Sequence, residues 1–286
     1  VDNLITHLSL CTGYGGIDHG LGTVLPTLRT IGYVEIEAFA IANLVTQMEK
    51  GLLDTAPIYT DLRGFDGVPY SGKVSILSAG FSCQPFSLNG KRESTEDERF
   101  IWPSVDRVIG EVQPSAVFLE NVPGIISARV GGVAQSSVLH DVLRRLEGRG
   151  YTAAWGVFSA EEVNLPHKRE RVFILAVADP NGSGGGEDFE PSEPRTESIV
   201  EPPSNSRSHQ PTQAQQVPRR PAGPGQDQHD WEEPRLVERG VGGAVDGSPR
   251  FKHDRLRMLG NGVVPAQAAH AWVTLAHELY KDAHHD

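Results

Sequence analysis

The sequence predicts an open α/β fold, a doubly wound sheet carrying a small irregular insert near its carboxyl end. Three observations point there. Short apolar runs alternate with stretches of helical periodicity between Thr6 and Ala178. Several of those runs end in turns rich in Gly, Ser, Pro or acidic side chains, where open sheets place ligands and reactive groups. The alternation then stops at Asp179: the next 72 residues hold 11 Pro and 10 Gly, with Phe189 and Trp231 the only aromatics. That composition is expected of irregular, low-complexity chain.

The bulk properties narrow the function classes. At 286 residues and 38% apolar side chains, the chain can build one large core or a core with an insert. A net charge of -11 excludes a general polyanion binder but leaves room for one local basic face on nucleic acid. Two cysteines, Cys11 and Cys83, far apart in sequence, support neither a disulfide framework nor a Cys-based zinc site, so no metal is expected. No run is as long as a membrane span, and Val1 to Leu4 lacks a basic region before an apolar one. A soluble cytoplasmic protein is expected.

Taken in order, Thr6 to Leu10 is a short strand that runs into Cys11-Thr12-Gly13-Tyr14-Gly15-Gly16, after which Ile17, Leu21 and Leu25 recur at helical spacing. Strand, glycine turn and helix make a cofactor-binding layout, because glycines let the backbone approach a ligand at a helix amino terminus. Asp18 stands where the third glycine of a dinucleotide fingerprint belongs, so a tight turn without a ligand is an equal alternative. A second strand, Thr30 to Val34, ends at Glu35-Ile36-Glu37 and leads into a helix through Lys50. Glu35, about 20 positions after the glycine turn, suits two ribose hydroxyls; Glu37 reads as a solvated acid at a helix start. Asp61-Leu62 follows a short strand around Ile58 and Tyr59.

The apolar run Val74 to Ala79 delivers Gly80-Phe81-Ser82-Cys83-Gln84-Pro85-Phe86-Ser87. An isolated cysteine is more often a small buried hydrophobe than a nucleophile, yet this one sits at the mouth of a sheet. A helix from Trp102 to Val112 and the strand Ala116 to Leu119 follow, and the strand presents Glu120-Asn121-Val122 to a cleft. Next come a helix from Val133 to Arg149, a strand from Tyr151 to Phe158, and the basic cluster Lys168, Arg169, Arg171 before the strand Val172 to Ala178. Such a cluster can equally be an exposed turn that keeps an edge soluble. The chain closes with Gly260-Asn261-Gly262-Val263-Val264-Pro265 and a helix from Ala266 to about Tyr280, apolar at Ala269, Trp272, Val273, Ala276 and Leu279.

Five of these blocks, in order and spacing, resemble the signature of the DNA (cytosine-5)-methyltransferases of bacterial or bacteriophage type. They are Gly13-x-Gly15-Gly16, Gly80 to Ser87, Glu120-Asn121-Val122, Arg169-Glu170-Arg171-Val172 and Gly260 to Pro265. The resemblance implies a class I, Rossmann-like, S-adenosylmethionine-dependent fold, with 1–178 and 251–286 catalytic and 179–250 a target-recognition region. It implies Cys83 as the nucleophile that adds to cytosine carbon 6, and Glu120 as the acid at ring nitrogen 3 and the exocyclic amine. Arg169 would hold the base carbonyl, with Arg171 as its companion. For S-adenosylmethionine it implies Thr12, Gly13, Tyr14, Gly15 and Gly16 at the amino acid end and Glu35 at the ribose. Ile36, Asp61 and Leu62 would meet the adenine, while Gly80, Asn261 and Gly262 complete the pocket. The implied partner is double-stranded DNA with the target base flipped out of the stack. A monomer is expected, and a cognate restriction endonuclease is left open.

Four features depart from the family pattern. Cys11 stands where an aromatic residue usually opens the glycine motif, Ser82 where proline precedes the cysteine, and His167 where glutamine is common. The stretch 179–250, with 13 acidic and 7 basic side chains, is short and poor in apolar residues for a reader of base edges. Two further readings follow: the same chemistry on RNA, or a non-catalytic nucleic-acid-binding relative. Amino-methyltransferases are disfavoured, because no Asp, Asn or Ser precedes Pro-Pro and an aromatic residue.

Overall fold

The computed structural model describes residues 4–81, 101–128, 137–179 and 262–282. Seven strands form one sheet: β1 (Ile5–Leu10), β2 (Leu28–Val34), β3 (Ile58–Tyr59), β4 (Ile76–Gly80), β5 (Ala116–Asn121), β6 (Tyr151–Phe158) and β7 (Arg171–Ala178). Among the described residues, five α-helices accompany them: α1 (Gly16–Val24), α2 (Ala38–Glu49), α3 (Trp102–Val112), α4 (Val138–Gly148) and α5 (Pro265–Asp282). The strand order is β3-β2-β1-β4-β5-β7-β6. All pairs from β3 to β5 are parallel, whereas β7 runs antiparallel between β5 and β6. The order reverses between β1 and β4, so a crevice opens at the carboxyl ends of these two strands.

Both faces of the sheet are covered, which explains why its central strands read as unbroken apolar runs. Along β5, Val117 and Leu119 join the core under α3 and α4, with Val105, Ile109, Val142 and Leu146. Phe118 points to the opposite face, into a second core with Ile17 and Leu21 of α1 and Ala268, Ala271 and Leu275 of α5. This alternation has period 2. It places Glu120 on the α1 and α5 side, at the end of the strand.

The helix after the glycine turn starts where the sequence predicts because Gly13 and Gly15 take left-handed backbone conformations, with φ of 59° and 85°. The next glycine answers a different need: a Cβ on Gly16 would collide with the Val263 carbonyl, and one on Gly20 would lie 2.6 Å from the Pro265 carbonyl. The carboxyl-terminal segment therefore presses directly onto α1. This close approach adds to the expected apolar face of α5, of which Trp272, Ala276 and Leu279 pack against the second core. Its buried positions are Gln267, Ala268, Ala271 and Leu275, whereas Val273 is exposed. Small residues, rather than the large ones that dominate the hydrophobic pattern, let the two helices meet. Helix α4 starts at Val138, later than the sequence suggests, with the Ser137 hydroxyl accepting from the His140 amide.

Candidate active site

A crevice at the carboxyl ends of β1, β2 and β3 is lined by Cys11, Val34, Glu35, Ile36, Asp61, Leu62, Arg63 and Ile101. Glu35 leaves the end of β2 with each carboxylate oxygen accepting one backbone N–H, from Gly13 at 2.7 Å and from Glu37 at 2.7 Å. Those bonds fix the carboxylate while leaving a second lone pair on each oxygen, which suits a ligand with two neighbouring hydroxyls. Ile36 is 62% exposed beside it, an apolar surface for a flat ring. The Asp61 carboxylate accepts from the Arg63 amide at 2.9 Å and shapes the facing turn. An apolar wall, two acids and open space over Gly13 fit an adenosine bearing an amino acid end. Thr12 is turned inward, its hydroxyl donating to the Ser9 carbonyl at 3.1 Å, so it shapes the turn.

Cys11 sits in the left-handed region at φ 50°, and its thiol is pushed up to about 12 by burial and by the Glu35 carboxylate, against the opposing pull of Arg63. A raised thiol disfavours the thiolate that a nucleophile needs.

The second group of residues lies across β5 and β7. Glu120 is 5% exposed at the end of β5, and the Arg171 Nε of β7 sits 2.9 Å from its Oε1. Burial pushes the Glu120 carboxyl up to about 7, and Arg171 and Arg169 hold it from rising further. Gly80 of β4 is the strand neighbour of Glu120, and a Cβ there would lie 3.4 Å from Oε2, so glycine keeps the space beside the acid open. Arg169 donates from Nη2 to the Gly262 carbonyl, and the Tyr14 hydroxyl donates to the Val263 carbonyl. The glycine turn, the arginine segment and the start of the terminal segment thus meet at 262–263. Cys83 and Asn261 lie outside the described residues.

Three residues absent from the expected set help to hold the site. Asn121 donates to the Phe81 carbonyl at 2.8 Å, fixing the backbone two residues before Cys83; its place in the Glu-Asn-Val block was the available signal. Arg107 of α3 donates to the Leu62 carbonyl at 2.9 Å and pins the turn that faces Glu35. Gln267, fully buried, bonds to the segment carrying Arg169. Nothing in the local pattern around Arg107 or Gln267 marks either one.

The raised Glu120 carboxyl has a consequence for stability. Its folded value, about 7, lies above the ordinary 4.5, so the folded protein holds a proton that the unfolded chain releases between those limits. The contribution is fully present below about pH 4.5 and is lost as pH rises through about 7, an effect of up to about 3 kcal/mol. Urea unfolding from pH 5 to 8 is expected to show this falling stability, and Glu120→Gln to remove that part of the slope. An identical slope in the variant would contradict the assignment.

The sheet order, with a crevice at the carboxyl ends of its parallel strands, is that of the S-adenosylmethionine-dependent class I methyltransferase fold. Within that class, the chain belongs to the C-5 cytosine-specific DNA methylase family, whose model matches residues 5–230. Among curated relatives it is 29% identical to the type II methyltransferase M.NgoMIV of Neisseria gonorrhoeae over 60% of this chain and 51% of that one. It is 30% identical to the type II methyltransferase M.Eco47II of Escherichia coli over 66% of this chain and 43% of that one. The chain thus spans about half of these relatives' length, or less. Among solved structures, DNMT2 of Spodoptera frugiperda aligns with a TM-score of 0.50 at 17% identity, over 65% of this chain and 54% of that one. The methyltransferase EhMeth of Entamoeba histolytica gives 0.50 at 17%, over 63% and 54%. At that identity these two speak for the fold alone. Among the described residues no helix is long and apolar enough to cross a membrane, and no cluster of His, Cys, Asp and Glu could hold a metal.

Proposed function

We propose that this chain transfers a methyl group to carbon 5 of a flipped cytosine in duplex DNA through a covalent cysteine adduct. The observation that carries this reading is the buried Glu120, held against Arg171 at 2.9 Å with its carboxyl raised to about 7, in the same sheet as a crevice lined by Glu35, Ile36, Asp61 and Leu62. A carboxyl poised near neutrality can share a proton with a ring nitrogen and accept from the adjacent amine.

Glu35 would hold the ribose of S-adenosylmethionine, Ile36, Asp61 and Leu62 would surround its adenine, and Gly13 to Gly16 would meet its amino acid end; when bound, the cofactor would supply an electrophilic methyl on a sulfonium. The Cys83 thiolate adds to ring carbon 6 and makes carbon 5 nucleophilic. Glu120 stabilises the charge that reaches nitrogen 3, and Arg169 turns its guanidinium to the base carbonyl. After methyl transfer, loss of the carbon 5 proton expels the cysteine and restores the ring. The stretch 179–250 is assigned to target recognition. The family relationship supports duplex DNA over RNA, and a monomer acting in a bacterial cytoplasm, or in that of a phage-infected host, is the setting proposed.

Labelled methyl transfer to mixed-sequence duplex DNA and to structured RNA tests the substrate. Label in DNA as 5-methylcytosine is the expected result; label confined to RNA would overturn the substrate assignment, and label in neither would overturn the activity.

A further inference from the structure

We propose that Gln267 is a positioning residue for Arg169, closing a clasp between the terminal helix and the arginine segment that serves the base-binding side of the site. The inference rests on the activity proposed above only for its kinetic consequence. Gln267 lies in the first turn of α5, fully buried, and its Nε2 donates to two carbonyls far away in the chain: Phe158 at 2.7 Å and Arg169 at 2.9 Å. Phe158 ends β6 and Arg169 precedes β7, so one amide ties together both sides of the connection between those strands.

The return contact comes from Arg169 itself, whose guanidinium donates to the Gly262 carbonyl, five residues before Gln267. Backbone of 169 to side chain of 267, and side chain of 169 to backbone of 262, form a closed loop between two segments. The Tyr14 hydroxyl on the Val263 carbonyl ties the glycine turn into the same loop. Lys168 is held from within the hairpin, its carbonyl accepting from the Ser159 hydroxyl at 2.8 Å and the Ala160 amide at 3.2 Å. The Arg169 carbonyl is supported from outside the hairpin by the Gln267 side chain.

The chemistry of the position argues against simple packing. With both N–H groups given to carbonyls, the Gln267 Oε1 is buried without a partner among the described residues. A buried polar atom left unpaired is unfavourable, and an apolar side chain of the same length would fill the space without it. An amide is explained here by the two carbonyls it fixes.

The test compares wild type with Gln267→Met, which keeps volume and removes both donors, and with Gln267→Asn, which keeps an amide too short to span both carbonyls. All proteins are assayed at a temperature where far-ultraviolet circular dichroism shows them folded, and Gln267→Asn carries the comparison if Gln267→Met does not fold. Two readouts are taken. The first is the rate of trypsin cleavage after Lys168 and Arg169, expected to rise at least tenfold in Gln267→Met. The second is kcat/KM for duplex DNA, expected to fall at least tenfold while the Kd for S-adenosylmethionine stays within twofold. In an Arg169→Ala background the Gln267→Met change is expected to add no further loss, because it acts through Arg169. Unchanged trypsin cleavage, or losses that multiply in full in the double variant, would overturn the proposal. A wild type that transfers no methyl would sink the proposed activity instead, and trypsin cleavage would still decide the clasp.

Discussion

Glu120→Gln is expected to lower kcat by roughly 10²- to 10⁴-fold, the usual worth of a positioned proton donor or acceptor, while the affinity for duplex DNA changes only a few-fold. The split follows from shape. Glutamine offers an N–H and a C=O to the same two atoms of cytosine that the protonated acid would meet, so the ground-state contact survives. What it lacks is a proton that can move to nitrogen 3 as charge accumulates there. In the wild type that proton is available because burial lifts the carboxyl to about 7 against Arg171 and Arg169. Activity that needs the protonated form should therefore fall as pH rises through about 7, and the variant should lose that limb. Single-turnover methyl transfer across pH 6 to 9, together with DNA binding, measures both. A variant with wild-type kcat would remove Glu120 from the chemistry.

Cys83→Ala is expected to have the larger effect, a loss on the order of 10⁴-fold or more, as for other nucleophiles that act within a concerted group. Without addition at carbon 6, carbon 5 of cytosine is too poor a nucleophile to attack a methyl sulfonium, so no weaker route substitutes. The chain holds one other cysteine, Cys11, and its surroundings disfavour a thiolate: burial and Glu35 push its thiol up to about 12, and it lines the crevice with Glu35. Single-turnover transfer measured with Cys83→Ala and with Cys11→Ala separates the two thiols. Activity lost with Cys11→Ala and retained with Cys83→Ala would reverse the assignment.

The parts of this architecture that were legible in the sequence are those set by local pattern. Apolar runs of strand length ended in Glu35, Gly80 and Glu120, and the structure puts all three at carboxyl ends of strands of one sheet. Strand direction was not legible, because the run Val172 to Ala178 encodes burial on both faces and not that β7 enters antiparallel between β5 and β6. The close approach of α5 to α1 was not legible for a related reason: Gly20 and Ala268 are conspicuous only for what they leave out, room that lets two backbones approach. Asn121, Arg107 and Gln267 act on backbone carbonyls 40, 45 and 98 residues away, and no window of sequence contains both partners. Residues that touch ligands sit in recognisable turns, whereas residues that hold those turns in place carry only a side-chain type and a burial.

The most direct measurement of the covalent mechanism is a denaturing gel of the protein incubated with S-adenosylmethionine and a mixed-sequence duplex carrying 5-fluorocytosine. Fluorine at carbon 5 cannot leave as a proton does, so after methyl transfer the cysteine cannot be expelled and the adduct accumulates. The account predicts a complex of protein and DNA that resists denaturation, depends on the cofactor and is absent with Cys83→Ala. Methyl transfer to ordinary duplex without any such complex, or a complex that persists in Cys83→Ala, would contradict it.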